Sequence, residues 1–279
     1  MKLSMSNIAW LPGNRLRAYS EMASHGVFGL EIAPALLFCS ADDPFIPDLN
    51  LAKIAISEIV AEGISIVSMQ SLLFGINGAE LFGKSDARER FEHGITRAIN
   101  LAGRFGIPNL VFGAPTQRNV PAHMNMADAF LEAVDVFRKL GDKAQSAGVT
   151  IAIEPNPKAY GTNFLNTIDE VWDFTKLVNH PAICLMFDTG SMHINKEYEN
   201  YTDYISKMMP WLNHVHISEP YLAPVQQDGK RLALFLKTLD EGFYEKFVSV
   251  EMKTPINGLD GVTFALDNLS NAVTLGYKS

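Results

Sequence analysis

The sequence has little of what marks a secreted, membrane-spanning or nucleic-acid-binding chain. Only two of its 279 residues are cysteine, Cys39 and Cys184. Two cannot form a disulfide framework, and they lack the C-x-x-C spacing of zinc ribbons and thioredoxin-like motifs. Cys184 stands in an apolar run and is expected to be a packed thiol. No apolar run approaches the length of a membrane span. The first stretch, MKLSMSNIAW, has no continuous apolar core, so no signal peptide is expected and a reducing cytoplasm is the expected setting. Basic charge is also scarce: 23 Lys and Arg stand against 31 Asp and Glu, a net charge of −8. The basic residues are scattered singly or in pairs, such as Arg138-Lys139 and Lys230-Arg231. Neither nucleic acid nor an anionic membrane is an expected partner.

What is present is apolar and regularly punctuated. Hydrophobic residues make up 47% of the chain, enough for one large core, and the length suits the roughly 250 residues of a (β/α)₈ barrel. The stretch TIAIEPN (residues 150–156) sets the pattern. Its β-branched residues favour a pleated, packed backbone. Pro155 cannot donate to a ladder, so the strand ends at Glu154. Similar runs occupy residues 3–10, 27–33, 64–70, 109–113, 183–188, 214–218 and 247–253. Helical periodicity with stop signals occupies residues 16–24, 49–62, 85–104, 124–147, 167–178, 201–211, 230–240 and 259–275. In the third of these helices Ser85 or Asp86 is the expected cap, Asp86 and Glu89 having the spacing of a capping box. Phe130, Val134 and Phe137 have the spacing of a buried helix face. Eight strands alternating with eight helices, with no linker composition between them, predict a single-domain α/β (β/α)₈ TIM barrel over residues 1–279.

Active sites of such barrels lie at the carboxyl ends of the strands. Glu154, Asp188, His216 and Glu251 fall at those ends on strands five to eight. His214 and His216 are two apart and share a side of their strand, with His216 nearer the carboxyl end and His214 a supporting group one layer deeper. Taken singly, each acidic group is more often a cap or a salt-bridge partner. Four at matching places favour one divalent ion such as Mn²⁺, Mg²⁺, Co²⁺ or Zn²⁺, because two glutamates in one cavity need a cation or a proton.

The eight-fold pattern and the motifs IAIEPN, LMFDTGSMH, HVHISEP and VSVEMK together resemble the xylose isomerase-like barrel superfamily. More narrowly they resemble its sugar phosphate isomerase/epimerase proteins, which include ketose 3-epimerases. The resemblance implies a metal held by Glu154, Asp188, His216 and Glu251, and Glu154 and Glu251 as the proton donor and acceptor on either face of the substrate carbon. It implies a small carbohydrate or polyol-derived ketone as substrate, and it leaves a homo-oligomer possible. The match has gaps. Where ketose 3-epimerases commonly carry a histidine three residues after the metal aspartate, this chain has Ser191, with His193 two further on. Tyr160 replaces a common glutamate, and Leu222 a common arginine. The metal and the reaction class carry over; the ketose substrate does not.

Other residues complete the expected site. Glu31, Gln70 and Trp10 are candidates for the mouth from strands one to three, and His193, His214 and Lys253 for its substrate side. Asn257-Gly258 offers backbone amides to a phosphate, with Lys253 near. His25, His93, His123 and His180 are expected in solvent. Residues 78–85 match the Walker A string, but Glu80, Leu81 and Phe82 are bulky where the backbone must wrap a phosphate, and Glu80 would repel it. Rival readings are a metal-dependent dehydratase or lyase, a non-catalytic sugar-binding barrel, and an abasic-site endonuclease, which the charge of −8 opposes.

Overall fold

Short apolar runs become strands and amphipathic runs become helices in the order the punctuation predicts. The computed structural model describes residues 1–225 and 229–278. Its strands are β1 (Lys2–Ser6), β2 (Gly29–Ile32), β3 (Ser65–Met69), β4 (Asn109–Phe112), β5 (Thr150–Ile153), β6 (Ile183–Asp188), β7 (Leu212–Ile217) and β8 (Phe247–Val250). They close into a barrel in sequence order. The helices are α1 (Arg15–Ser24), α2 (Pro34–Leu37), α3 (Leu49–Ala61), α4 (Ser85–Phe105), α5 (Met126–Ser146), α6 (Ile168–Val178), α7 (Thr189–Asn195), α8 (Tyr201–Met208), α9 (Gly229–Glu241) and α10 (Leu259–Lys278). Among the described residues no helix is long and apolar enough to cross a membrane.

Backbone contacts group the chain into two units. The first comprises Met1–Val67, Asp188–Pro210 and His214–Ser279. In it β1 pairs in parallel with β2 and β8, with Ser6 opposite Glu31 and Met5 opposite Val250, and β8 pairs with β7, Ser249 facing His216. Leu232, Phe235 and Leu236 of α9 and Val262, Leu266 and Leu269 of α10 are buried. The second unit comprises Ser68–Phe187 and Trp211–Asn213. There β4, β5 and β6 pair in parallel, and a run of edge-to-face rings joins strands to helices. Phe91, Phe112, Phe137, Phe174 and Phe164 follow one another at centroid separations of 5.8, 5.0, 5.4 and 6.1 Å. Phe82, from the loop after β3, closes on Phe164 at 5.0 Å. Rings in this geometry attract beyond their area burial.

Several local readings need correction. The first strand stops at Ser6, not Trp10. Ser6 Oγ accepts from the Ile8 amide, and Asn7 Oδ1 accepts from the Ala33 amide at 2.7 Å, which turns residues 7–9 into a 3₁₀ turn. The cap of α4 is Lys84, without a side-chain bond, and Ser85 instead donates to Glu89 within the helix. α2 and α7 were not expected. Cys184 is only half-buried. His25 and His180 are not merely solvated: their Nε2 atoms lie 3.2 Å from Asp267 and 3.3 Å from Asp142.

The aromatic run makes Phe137, which is fully buried, the test of this packing. Phe137→Ala should lower the unfolding free energy by about 3–5 kcal/mol in urea titration, with little change in slope.

Candidate metal centre

Side chains two apart on a strand face the same way, so His214 and His216 of β7 point together. Both meet Glu31 of β2. His214 Nε2 lies 2.9 Å from Glu31 Oε2, and His216 Nε2 lies 3.0 Å from Oε1 and is hydrogen-bonded to Oε2 at 3.2 Å. All three residues are buried. Burial alone would raise the Glu31 carboxyl, but His216 and His214 outweigh it and hold it well below the ordinary carboxylate range. A carboxylate only accepts, so its hydrogen bond with His216 places a proton on Nε2 of that ring. In the neutral ring the Nδ1 of His216 carries the lone pair. That atom lies 3.1 Å from Glu251 Oε2 and 3.8 Å from Asp188 Oδ2. Such groups facing one another are held together by a cation or a proton, and oxygen and imidazole donors suit Mg²⁺, Mn²⁺, Co²⁺ or Zn²⁺.

Asp188 is held by the helix that follows it. It is the N-cap of α7, where its Oδ1 accepts from the Ser191 amide at 2.6 Å. Its Oδ2 accepts from Ser218 Oγ at 2.6 Å, and that hydroxyl also accepts from the Gly190 amide. A Cβ at position 190 would lie 2.7 Å from the Glu219 carbonyl oxygen, so only glycine lets α7 start this close to the end of β7. Glu251 follows β8 directly, and its amide donates to the Ile217 carbonyl at 3.0 Å.

In the second unit Glu154 follows β5, its amide donating to the Phe112 carbonyl. Asn156 Nδ2 donates to Glu154 Oε2 at 2.9 Å. The carboxylate lies against the backbone of Gly113, where any Cβ would overlap Oε2. Arg118 is fully buried beside it. Its guanidinium donates to the Glu154 carbonyl at 3.0 Å and the Leu165 carbonyl at 3.1 Å. Burial pulls the Arg118 pKa down to about 10, with Glu154 and Glu170 opposing the shift, so the group stays charged at neutral pH. Glu154 borders a cavity of about 430 Å³ walled by the loops after β3 and β4. Two of its lining residues, Ser71 and Ala114, hold left-handed backbone conformations, at φ of 58° and 46°. Such positions are strained for residues other than glycine and gather at functional sites.

Within the first unit, Asp188, His216 and Glu251 each offer one ligand atom, and the three atoms lie within 4.8 Å of one another. The remaining expected residues are placed differently. Gln70 lines the cavity. Glu31, expected at the mouth, is instead the buried partner of the two histidines, and Trp10 is buried against Tyr19. His193 stacks on Tyr198 with ring centroids 4.2 Å apart, and burial, assisted by Arg231, lowers its pKa. Lys253 is exposed, its amide donating to the Leu222 carbonyl. In the Walker-like string the Glu80 and Leu81 amides donate to the Ala87 and Gln117 carbonyls, which leaves those two turned away from any phosphate. Arg118, Gly113 and Ser218 went unnoticed in the sequence. The glycine after VF and the serine after HVHI are adjacent to strand ends, and that position was their only signal.

Residues 21–271 match the protein family described as the xylose isomerase-like TIM barrel. No protein of curated function matches the sequence. Solved structures share the fold at low identity. The 3-keto-D-glucoside 4-epimerase YcjR from E. coli is 18% identical, covers 98% of this chain and 99% of its own, and has a TM-score of 0.75. D-psicose 3-epimerase from Clostridium cellulolyticum H10, solved with D-tagatose, is 17% identical, with 100% and 99% covered and a TM-score of 0.75. An L-ribulose 3-epimerase is 17% identical, with 100% and 95% covered and a TM-score of 0.74.

Glu31→Gln keeps the shape of the side chain while removing its charge. It should weaken Mn²⁺ binding about 10- to 100-fold in calorimetric titration, the usual cost of losing a group that orients a metal histidine. An unchanged affinity would separate Glu31 from the centre.

Proposed function

This chain belongs to the xylose isomerase-like TIM barrel family, and we propose that it is a divalent-metal-dependent isomerase or epimerase acting beside the carbonyl of a sugar or polyol-derived ketone. One observation carries the reading. The His216 ring, with its Nε2 engaged by Glu31, turns Nδ1 toward Glu251 and Asp188. That donor set suits a cation, and Glu154 is assigned as a further ligand. The structural neighbours whose names state a sugar epimerase activity support the reaction class.

When bound, the ion supplies Lewis acidity to an oxygen beside the reacting carbon. The chain's own groups do the rest. Glu154 and Glu251 are assigned as the two bases, one removing the proton from the carbon beside the carbonyl and the other returning it on the opposite face. Return on the opposite face inverts the centre; return to the neighbouring carbon isomerises. Gly113 and Asn156 fix the direction of the Glu154 carboxylate, while Ser191 and Ser218 occupy Asp188 so that it stays a ligand and not a base. Small Lewis-acid sites of this kind serve sugar chemistry without a basic patch, in keeping with the net charge of −8.

Solvent deuterium incorporation into ketoses and inososes in the presence of Mn²⁺ tests the proposal. Exchange should vanish with a chelator and return with metal. Glu154→Gln and Glu251→Gln should each stay folded and lose about 10²- to 10⁴-fold in turnover, each still exchanging into one epimer only. Parent-like turnover by both variants would overturn the two-base assignment and favour a sugar-binding barrel.

A further inference from the structure

The cavity beside Glu154 says more about its ligand than the metal residues do. Among the described residues that line it, Glu154 is the sole ionisable side chain. The polar remainder is neutral: the amides of Gln70, Asn77 and Gln117 and the hydroxyl of Ser71. The guanidinium groups of α4 that hold this loop do not line the cavity. Arg97 donates to the Phe74 carbonyl at 2.6 Å and Arg90 to the Gly78 carbonyl at 3.2 Å. A phosphate dianion brought to this wall would give up water with no cationic side chain there to receive it, which is costly.

The opposite character is well supplied. Leu72, Leu73, Phe74, Ile76 and Pro115 give the cavity an apolar side. Phe74 is 55% exposed, although it sits on a tied loop. Its amide donates to the Ser71 carbonyl, the Ile76 amide donates to the Leu73 carbonyl, and Arg97 holds the Phe74 carbonyl. The ring is thus presented on an ordered turn. A cavity of about 430 Å³ falls within the range that encloses drug-sized ligands, and an aromatic face at its side adds a stacking surface.

Resting on the function proposed above, we propose that the ligand is an uncharged sugar bearing an apolar substituent, a glycoside whose aglycone lies against Phe74, and not a sugar phosphate. Calorimetric binding to the Mn²⁺-loaded protein tests this with D-fructose, D-fructose 6-phosphate, and methyl and phenyl β-D-glucosides. The phenyl glucoside should bind about 10-fold more tightly than the methyl glucoside, an increment typical of burying and stacking one ring. The phosphate ester should bind at least ~10-fold more weakly than the free ketose. In Phe74→Ala the phenyl-to-methyl ratio should fall to within about two-fold. Equal or tighter binding of the phosphate ester, a phenyl-to-methyl ratio near one, a ratio that survives Phe74→Ala, or no binding of any sugar would each overturn the inference. Deuterium exchange into the keto sugars, followed in parallel, separates the two readings. If the affinity order holds while nothing exchanges, the ligand class stands and the epimerase reading falls. If the phosphate ester binds best and exchanges, the reverse is true.

Discussion

One carboxylate decides which nitrogen of His216 is available. Glu31 lies wholly inside the barrel, where an unpartnered charge is expensive, and it is stabilised there by the Nε2 atoms of His214 and His216. The dependence runs both ways. Without Glu31 the two imidazoles would be free to choose their tautomer and their tilt, and His216 would have no reason to aim Nδ1 at Glu251 and Asp188. The electrostatics of the centre is therefore set by a residue that need not touch any ion. His214, whose Nε2 also faces Glu31, helps to hold the carboxylate in place.

The acidic residues are seated by backbone devices that differ from one to the next. Asp188 is an N-cap, so its geometry is tied to the first turn of α7 and to the hydroxyl of Ser218. Glu154 lies over a glycine and beside an amide, with a buried guanidinium holding the carbonyl of its own residue. Glu251 continues a strand and is fixed by a ladder-like bond to Ile217. Groups held in this way need little rearrangement before they act, which is where much of a site's chemical advantage arises.

The sequence revealed strand ends more clearly than partnerships. Pro155 after Glu154, and the apolar runs before Asp188 and Glu251, mark local boundaries, and local boundaries are what periodicity reports. The pairing of Glu31 with His214 and His216 joins positions more than 180 residues apart in the chain, and nothing near Glu31 announces it. The role of Gly113 depends on where a carboxylate 41 positions later comes to rest. Arg118 looked like one more scattered basic residue, because only folding shows that two carbonyls await it. The capping-box spacing at Asp86 misleads for the opposite reason: the pattern is local and correct in type, but the helix begins two residues too early to use it.

Ser71 and Ala114, the two left-handed corners at the cavity wall, bear on how this pocket can change over generations or in the hands of a designer. Glycine, asparagine and aspartate are admissible at such corners, whereas valine, isoleucine and threonine are not. Side chains along the wall, such as Leu73, Ile76 and Gln117, carry no such backbone restriction. New specificities on this scaffold are accordingly reached by repainting the wall and not by redrawing its outline. A loop transplanted from a relative will hold the pocket's contour only if it brings its own pair of residues content at positive φ.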